Sequence, residues 1–308
     1  MSQNMIERRA LVVNKWANLV MAVAGVVAAI MSRSDALMVD GLYSAVNFVA
    51  AIIAIRVSER VGRPPDRGRP WGYGFEESLY VTFRSLVLVG ILVFAAFGSA
   101  SKIFTYLTGG AVADLIFGPI IVYSLSMVVI CLSLAFYHHR AFVKSGKSST
   151  ILKTESRAAL IDGAISLGSG AALVSLPYLA DTPLAPVIPV GDAIIVLLLV
   201  VIIIWQPLGL FRGALAELAG VSAPGPTHLS VSRAAKELVN QSGFRFLRAA
   251  VQRAGRTHFV VVYVDTDTPV SAGKIDELWR SLTSTLQDKV GAVRCEIVVT
   301  ELADVDAI

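Results

Sequence analysis

Residues 36–55 read ALMVDGLYSAVNFVAAIIAI, and this stretch decides the fold. It is long and apolar enough to cross a bilayer as a helix. Asp40, Ser44 and Asn47 interrupt it, offset by four and seven residues, so one helical face collects all three polar groups. A charged carboxylate at the bilayer centre costs about 2.5–3.5 kcal/mol on insertion scales, so it is expected to face a partner, a cation or water. Residues 158–179 repeat the device, with Asp162, Ser166 and Ser169 at the same offsets. Both segments read Asp-Gly-x-x-Ser, as DGLYS and DGAIS. The pair is the candidate working site.

Composition agrees with a polytopic membrane protein. Of 308 residues, 55% are hydrophobic and only 16% are charged, which excludes an ordinary soluble enzyme. A net charge of +4 with basic residues near membrane ends fits a positive-inside pattern better than a nucleic-acid footprint. Cys131 and Cys295 stand far apart without metal-ligand spacing and read as single buried thiols. No small-residue cleavage site follows the first apolar run, which reads as a retained helix. No Gly-rich phosphate loop of Walker type occurs, which argues against direct ATP coupling.

Six apolar segments are long enough to span, at about 11–31, 36–55, 79–104, 115–137, 158–179 and 190–211. One set of loops and ends carries Arg8, Arg9, Lys15, the arginines from Arg56 to Arg69, Arg140, Lys144, Lys147, Lys153 and Arg212. The other set carries only Arg33 and Lys102. The charge-bias rule then places both termini in the cytoplasm of a multi-pass cell-membrane (inner-membrane) protein. Residues 1–212 form the expected six-helix domain and 213–226 a linker, with Pro224, Gly225 and Pro226 as a hinge. Residues 227–308 alternate helical and strand-like runs in the order αββαβ. That order predicts a small cytoplasmic α+β domain of ferredoxin-like type.

These features together resemble the cation diffusion facilitator family. The residues that carry the likeness are SDALMVDGLYSAVN, RPWGYGFEESL, LIDGAISLGSG and PVGDAIIVLLLV, and the likeness covers nearly the whole chain. The resemblance implies a homodimeric antiporter, not an enzyme. Such a protein exchanges protons for a divalent cation held between the second and fifth spans, exporting the metal from the cytoplasm. By that likeness Asp40 takes the first position of the span-two pair and Asp162 the second position of the span-five pair. Ser44 stands where a second Asp is usual, and Ala158 where His or Asp is usual. The family's Gly-His-Gly loop appears as Gly72-Tyr73-Gly74 with Glu77 kept. Tyr263, Thr300 and Leu302 stand where some members carry tail ligands, so the accessory sites are expected to be absent or rebuilt.

The transport site so read is mostly oxygen-lined: Asp40 and Asp162 as charged ligands, with Ser44, Asn47 or Ser166 as neutral ones. Such donors lean towards Mn²⁺ or Fe²⁺ among Mn, Fe, Zn and Co, because zinc favours nitrogen and sulfur. Two carboxylates neutralise one divalent cation, and without metal their repulsion favours a proton on one of them. No resident cofactor is expected; the partners are metal, protons, the bilayer and a second copy of the chain, not nucleic acid.

Other readings of the same residues stay open. Asp40 and Asp162 could pair with Arg84 or Lys15, the serines could serve close helix packing, and Asn47 could bond a neighbouring helix. Glu155 is read as a charge partner for Lys153 or Arg157 rather than a ligand. Glu77 is read as paired with Arg84, His138 and His139 as an exposed pair, and Asp192 as an acid favoured at a helix N-terminus. For the whole chain the rivals are a transport-inactive scaffold or sensor, and a transporter of a monovalent or organic cation.

Overall fold

The computed structural model describes residues 3–61, 63–144, 150–266 and 268–301; Lys147 and Leu302 lie outside the described residues. The chain divides into two compact units, Met1–Ile53 with Arg84–Leu208, and Ala54–Phe83 with Gly209–Ile308. Each is built on its own core.

The first unit is helical. The apolar runs become α1 (Gln3–Ser32), α2 (Asp35–Val61), α3 (Gly74–Leu107), α4 (Phe117–Lys144) and α5 (Thr150–Ser175), most of them longer than the runs themselves. Two 3-10 turns, Leu176–Leu179 and Ala185–Val190, occupy a proline-rich stretch before α6 (Gly191–Ile203) and α7 (Trp205–Leu218). The helix lapses for one residue of the last apolar run, Ile204, where Pro207 has no N–H to offer Ile203 and its ring crowds that carbonyl. The bonds from Ile204 N to the Val200 carbonyl and from Leu208 N to the Ile204 carbonyl carry the backbone through, and 185–218 remains one candidate span. α7 also continues into the stretch read as linker, through Leu218.

Six segments of the described residues are long and apolar enough to cross a membrane, and the protein is a multi-pass membrane protein of that architecture. Phe94 and Phe97 on α3 are 78% and 74% exposed, a surface that suits lipid and not water. Inward, Met21, Leu37, Leu92, Ile120, Leu173 and Val196 build the helical core.

Asp192, in the first turn of α6, is fully buried and serves another helix's start rather than its own. Its carboxylate accepts from the Ser34 hydroxyl at 2.7 Å and from the amides of Asp35 and Ala36 at 2.7 and 3.3 Å. Those are orphan donors at the start of α2, so a distant acid caps that helix. Lys102 on α3 completes the cluster, 3.3 Å from Asp35 and 3.7 Å from Asp192.

The second unit contains the expected αββαβ order: α8 (Gly225–Gln241), β1 (Arg245–Ala254), β2 (Thr257–Asp265), α9 (Ala272–Val290) and β3 (Val293–Val299). The sheet order is β1-β2-β3, with β1 and β2 antiparallel and β2 and β3 parallel across the α9 crossover. Val231, Ala235 and Val239 of α8 and Leu278, Leu282 and Leu286 of α9 bury one stripe each against Val260, Val262 and Val264 of β2. Gly255 turns β1 into β2 with φ of 58°, and a Cβ there would lie 2.8 Å from that of Glu77. Its amide donates to Ser78 Oγ at 2.9 Å and to Glu217 at 3.1 Å, so the hairpin tip is held to the starts and ends of α3 and α7 inside this unit.

Candidate functional site

The repeated Asp-Gly dipeptide has a structural half and a chemical half. Gly41 lies against α1: a Cβ on it would stand 2.7 Å from the Val26 amide nitrogen, and one on Gly25 would stand 2.6 Å from the Gly41 Cα. No larger residue lets the two backbones come this close. Gly163 does the same on α5, where a Cβ would lie 3.0 Å from the Cβ of Cys131 on α4. Each acid thus sits one residue from a tight helix crossing, which holds its backbone in place.

Asp40 and Asp162 line a single cavity of about 210 Å³ within the first unit. Ser44, Asn47, Ser166 and Ser169 line it too, so every residue singled out from the two motifs reaches the same space. Ser44 and Ser166 are buried, Asp40 is half-buried and Asp162 is exposed in the isolated chain. Among the described residues, no three His, Cys, Asp or Glu side chains group closely enough to hold a metal ion. A cation in this cavity therefore has two carboxylates at most, and neutral donors must complete its shell.

Tyr123 on α4, overlooked in the sequence, donates its hydroxyl to Asp40 Oδ2 at 2.8 Å. Met127 and Cys131, one and two turns further along, also face the cavity, so its wall carries sulfur as well as oxygen. Their four-residue spacing was a detectable helical face, but α4 carries no acid to draw attention to it. Cys131 is a buried free thiol, as expected.

Asp40 does not take the alternative partners Arg84 and Lys15: Arg84 Nη2 donates to Asn47 Oδ1 at 2.9 Å, and Lys15 lies 5.1 Å from the centre of the Trp16 ring. Asn47, a candidate ligand, therefore spends its carbonyl oxygen on Arg84. Other partners differ from the expected ones. Glu77 does not meet Arg84 but Arg256, at 3.2 Å, because the β1–β2 turn reaches it first. Glu155 does not pair with Arg157; its carboxylate accepts from Asn14 Nδ2 at 2.8 Å, and the Lys153 side chain lies outside the described residues. His138 is fully buried, not exposed, and among the described residues neither of its ring nitrogens has a hydrogen-bond partner. It falls on the face of α4 that packs inward, whereas His139 points out.

The loop before α3 is built as a scaffold. Asp66 accepts from the amides of Gly68 and Arg69 at 2.8 and 2.9 Å and from the Tyr73 hydroxyl at 2.5 Å. The Tyr73 bond, followed by those backbone amides, holds the Asp66 carboxyl below the usual range, and the same bond pushes the Tyr73 phenol up. Tyr73 thus ties the loop where the family pattern has a histidine. Trp71 meets Phe259 edge-on at 6.1 Å. In the tail, Tyr263 lies 4.6 Å beneath the Arg248 guanidinium, and the Thr300 amide bonds to the Val264 carbonyl at 2.9 Å.

Residues 11–219 match the family described as cation efflux transmembrane domain. The manganese efflux system protein MneP of Bacillus subtilis (strain 168) is 29% identical over 89 residues, covering 29% of this chain and 30% of that protein. The chain thus spans under a third of the length of the curated relative it matches.

Proposed function

The chain belongs to the cation efflux, or cation diffusion facilitator, family, and from that premise we propose that it exports a divalent metal cation by proton-coupled antiport through Asp40 and Asp162. The observation that carries this is the convergence of the two Asp-Gly-x-x-Ser motifs on one intramembrane cavity. Two carboxylates there match the charge of one divalent ion, and Ser44, Ser166 and the Tyr123 hydroxyl supply neutral oxygens around it. When the ion leaves, mutual repulsion favours protons on the vacated carboxylates, so metal and proton exchange at one place. Opening the cavity to one side and then the other completes the cycle.

Manganese is the favoured substrate, with iron next, because the carboxylate and hydroxyl donors are hard ones and the MneP relative is named for manganese efflux. Cys131 is the donor that favours softer ions, which makes the metal ranking informative. The basic loops support a reading with both termini on the cytoplasmic side of the cell membrane, and in that reading the working form is a homodimer whose tails pair.

The test is uptake of Mn²⁺, Fe²⁺, Zn²⁺ and Co²⁺ into proteoliposomes under an imposed pH gradient. Wild type is expected to favour Mn²⁺, and Asp40→Ala and Asp162→Ala each to lose at least about 90% of uptake, since an interaction of ~1.4 kcal/mol is already tenfold. Intact uptake in either variant would remove that carboxylate from the site. Zinc transport without manganese or iron transport would overturn the oxygen-donor reading.

A further inference from the structure

We propose that Glu155, Asn14 and Asn18 form a second divalent-cation station, which passes the ion to the Asp40–Asp162 cavity, with Arg84 as the resident charge that the ion displaces. The inference rests on the transport reading above and adds a path to it.

Glu155 stands seven residues before Asp162 on α5, on the same helical face and about 10 Å nearer the basic-loop end. It lies in a membrane-spanning segment, half-buried. Its hydrogen-bond partner is a neutral amide, Asn14 Nδ2 at 2.8 Å. An acid at the end of a span, bonded to a neutral amide, is a place where a cation or a proton can be exchanged.

Asn18, one turn beyond Asn14, donates to the Asn14 backbone carbonyl at 2.9 Å. That bond uses its N–H and leaves its side-chain oxygen as an acceptor, and the residue itself lines the central cavity. A ladder of oxygen donors therefore runs from Glu155 along α1 to the cavity wall. Turning the Asn14 carboxamide over exchanges its donor for an oxygen, so Asn14 can bond an empty Glu155 and ligate with a filled one.

Arg84 supplies the competing charge. Its guanidinium bonds Asn47, also on the cavity wall, and acts electrostatically on both Glu155 and Tyr43. One carboxylate with two amide oxygens suits a hard divalent ion but leaves it half-neutralised. Such a site binds weakly and lets the ion go, as a relay requires.

The experiment is Mn²⁺ titration calorimetry on the purified full-length chain, paired with initial-rate uptake in proteoliposomes. Wild type is expected to show a tight and a weak class of Mn²⁺ site. The double variant Asp40→Ala/Asp162→Ala should keep the weak class alone. Glu155→Gln should keep the tight class, lose the weak one, and raise the KM for Mn²⁺ at least tenfold. Asn14→Asp, which adds a carboxylate, should tighten the weak class, and Arg84→Gln should do so too by removing the competitor. A single class of site in wild type, or a KM within twofold of wild type in Glu155→Gln, would overturn the proposal. If Glu155→Gln fails to fold, the Asn14→Asp result decides, with unchanged weak-site affinity counting against it. Full uptake by Asp40→Ala would instead sink the transport reading, a result separate from these.

Discussion

The hydroxyl of Tyr123 is the polar contact that the two motifs do not announce, and it acts on the residue at the centre of the site. A hydrogen bond to a charged group contributes about 1.5–3 kcal/mol, so losing it should lower affinity about tenfold or more if the bond orients Asp40 for the metal. Tyr123→Phe is accordingly expected to weaken Mn²⁺ binding by about tenfold in equilibrium titration. Unchanged affinity would mean that the ring only fills space against Gly25, whose added Cβ would lie 3.0 Å from the phenol oxygen. Cys295 illustrates the opposite case, a polar group put aside by packing. Burial, and then the nearby Glu296 charge, pushes its thiol up to about 12, so it stays protonated and inert inside the sheet.

Helix contacts depend on single small or charged residues at defined places. At the crossing of α1 and α2 a Cβ on Gly41 meets backbone, which cannot rotate away, whereas one on Gly98 of α3 meets nothing within 4 Å. Overpacking of this kind costs typically about 1–3 kcal/mol. Gly41→Ala should therefore lower the thermal unfolding midpoint in detergent and reduce uptake, while Gly98→Ala should do neither. The Asp192 cap is the second such place. Asp192→Ala strands a hydroxyl and two amides and leaves Lys102 with Asp35 alone, and is expected to destabilise the helical unit by about 3 kcal/mol. Denaturant unfolding followed by helical circular dichroism would read it, and a loss below 1 kcal/mol would show that water replaces the carboxylate.

Across the whole molecule the two units should answer acid differently. Burial, and then the Arg253 guanidinium, pushes the His258 imidazole below its usual 6.5. The folded state prefers the neutral ring, so the unfolded chain binds more protons as pH falls. Stability is then complete above about pH 6.5 and is lost as pH falls through the lower folded value. The unit that holds the αββαβ domain is expected to melt at lower temperature at about pH 5 than at pH 7, with His258→Gln flattening the difference. A pH dependence unchanged by that substitution would assign the loss to other groups.

Much of this architecture was legible in the chain itself. Spans follow from apolar length, because a bilayer leaves the backbone no other way to satisfy its hydrogen bonds. The tail follows from alternating 3.6- and 2-residue periods, and the paired acids from their cost in hydrocarbon. The partners were not legible. Glu77 found Arg256 instead of Arg84, Asp192 capped a helix 157 residues away in sequence, and Tyr123 closed on Asp40 from a helix with no acid. Periodicity places a side chain on a face of its own helix; which neighbour that face meets depends on how closely the backbones approach. Here the crossings at Gly25, Gly41 and Gly163 bring them together, and only the packed tertiary structure decides that.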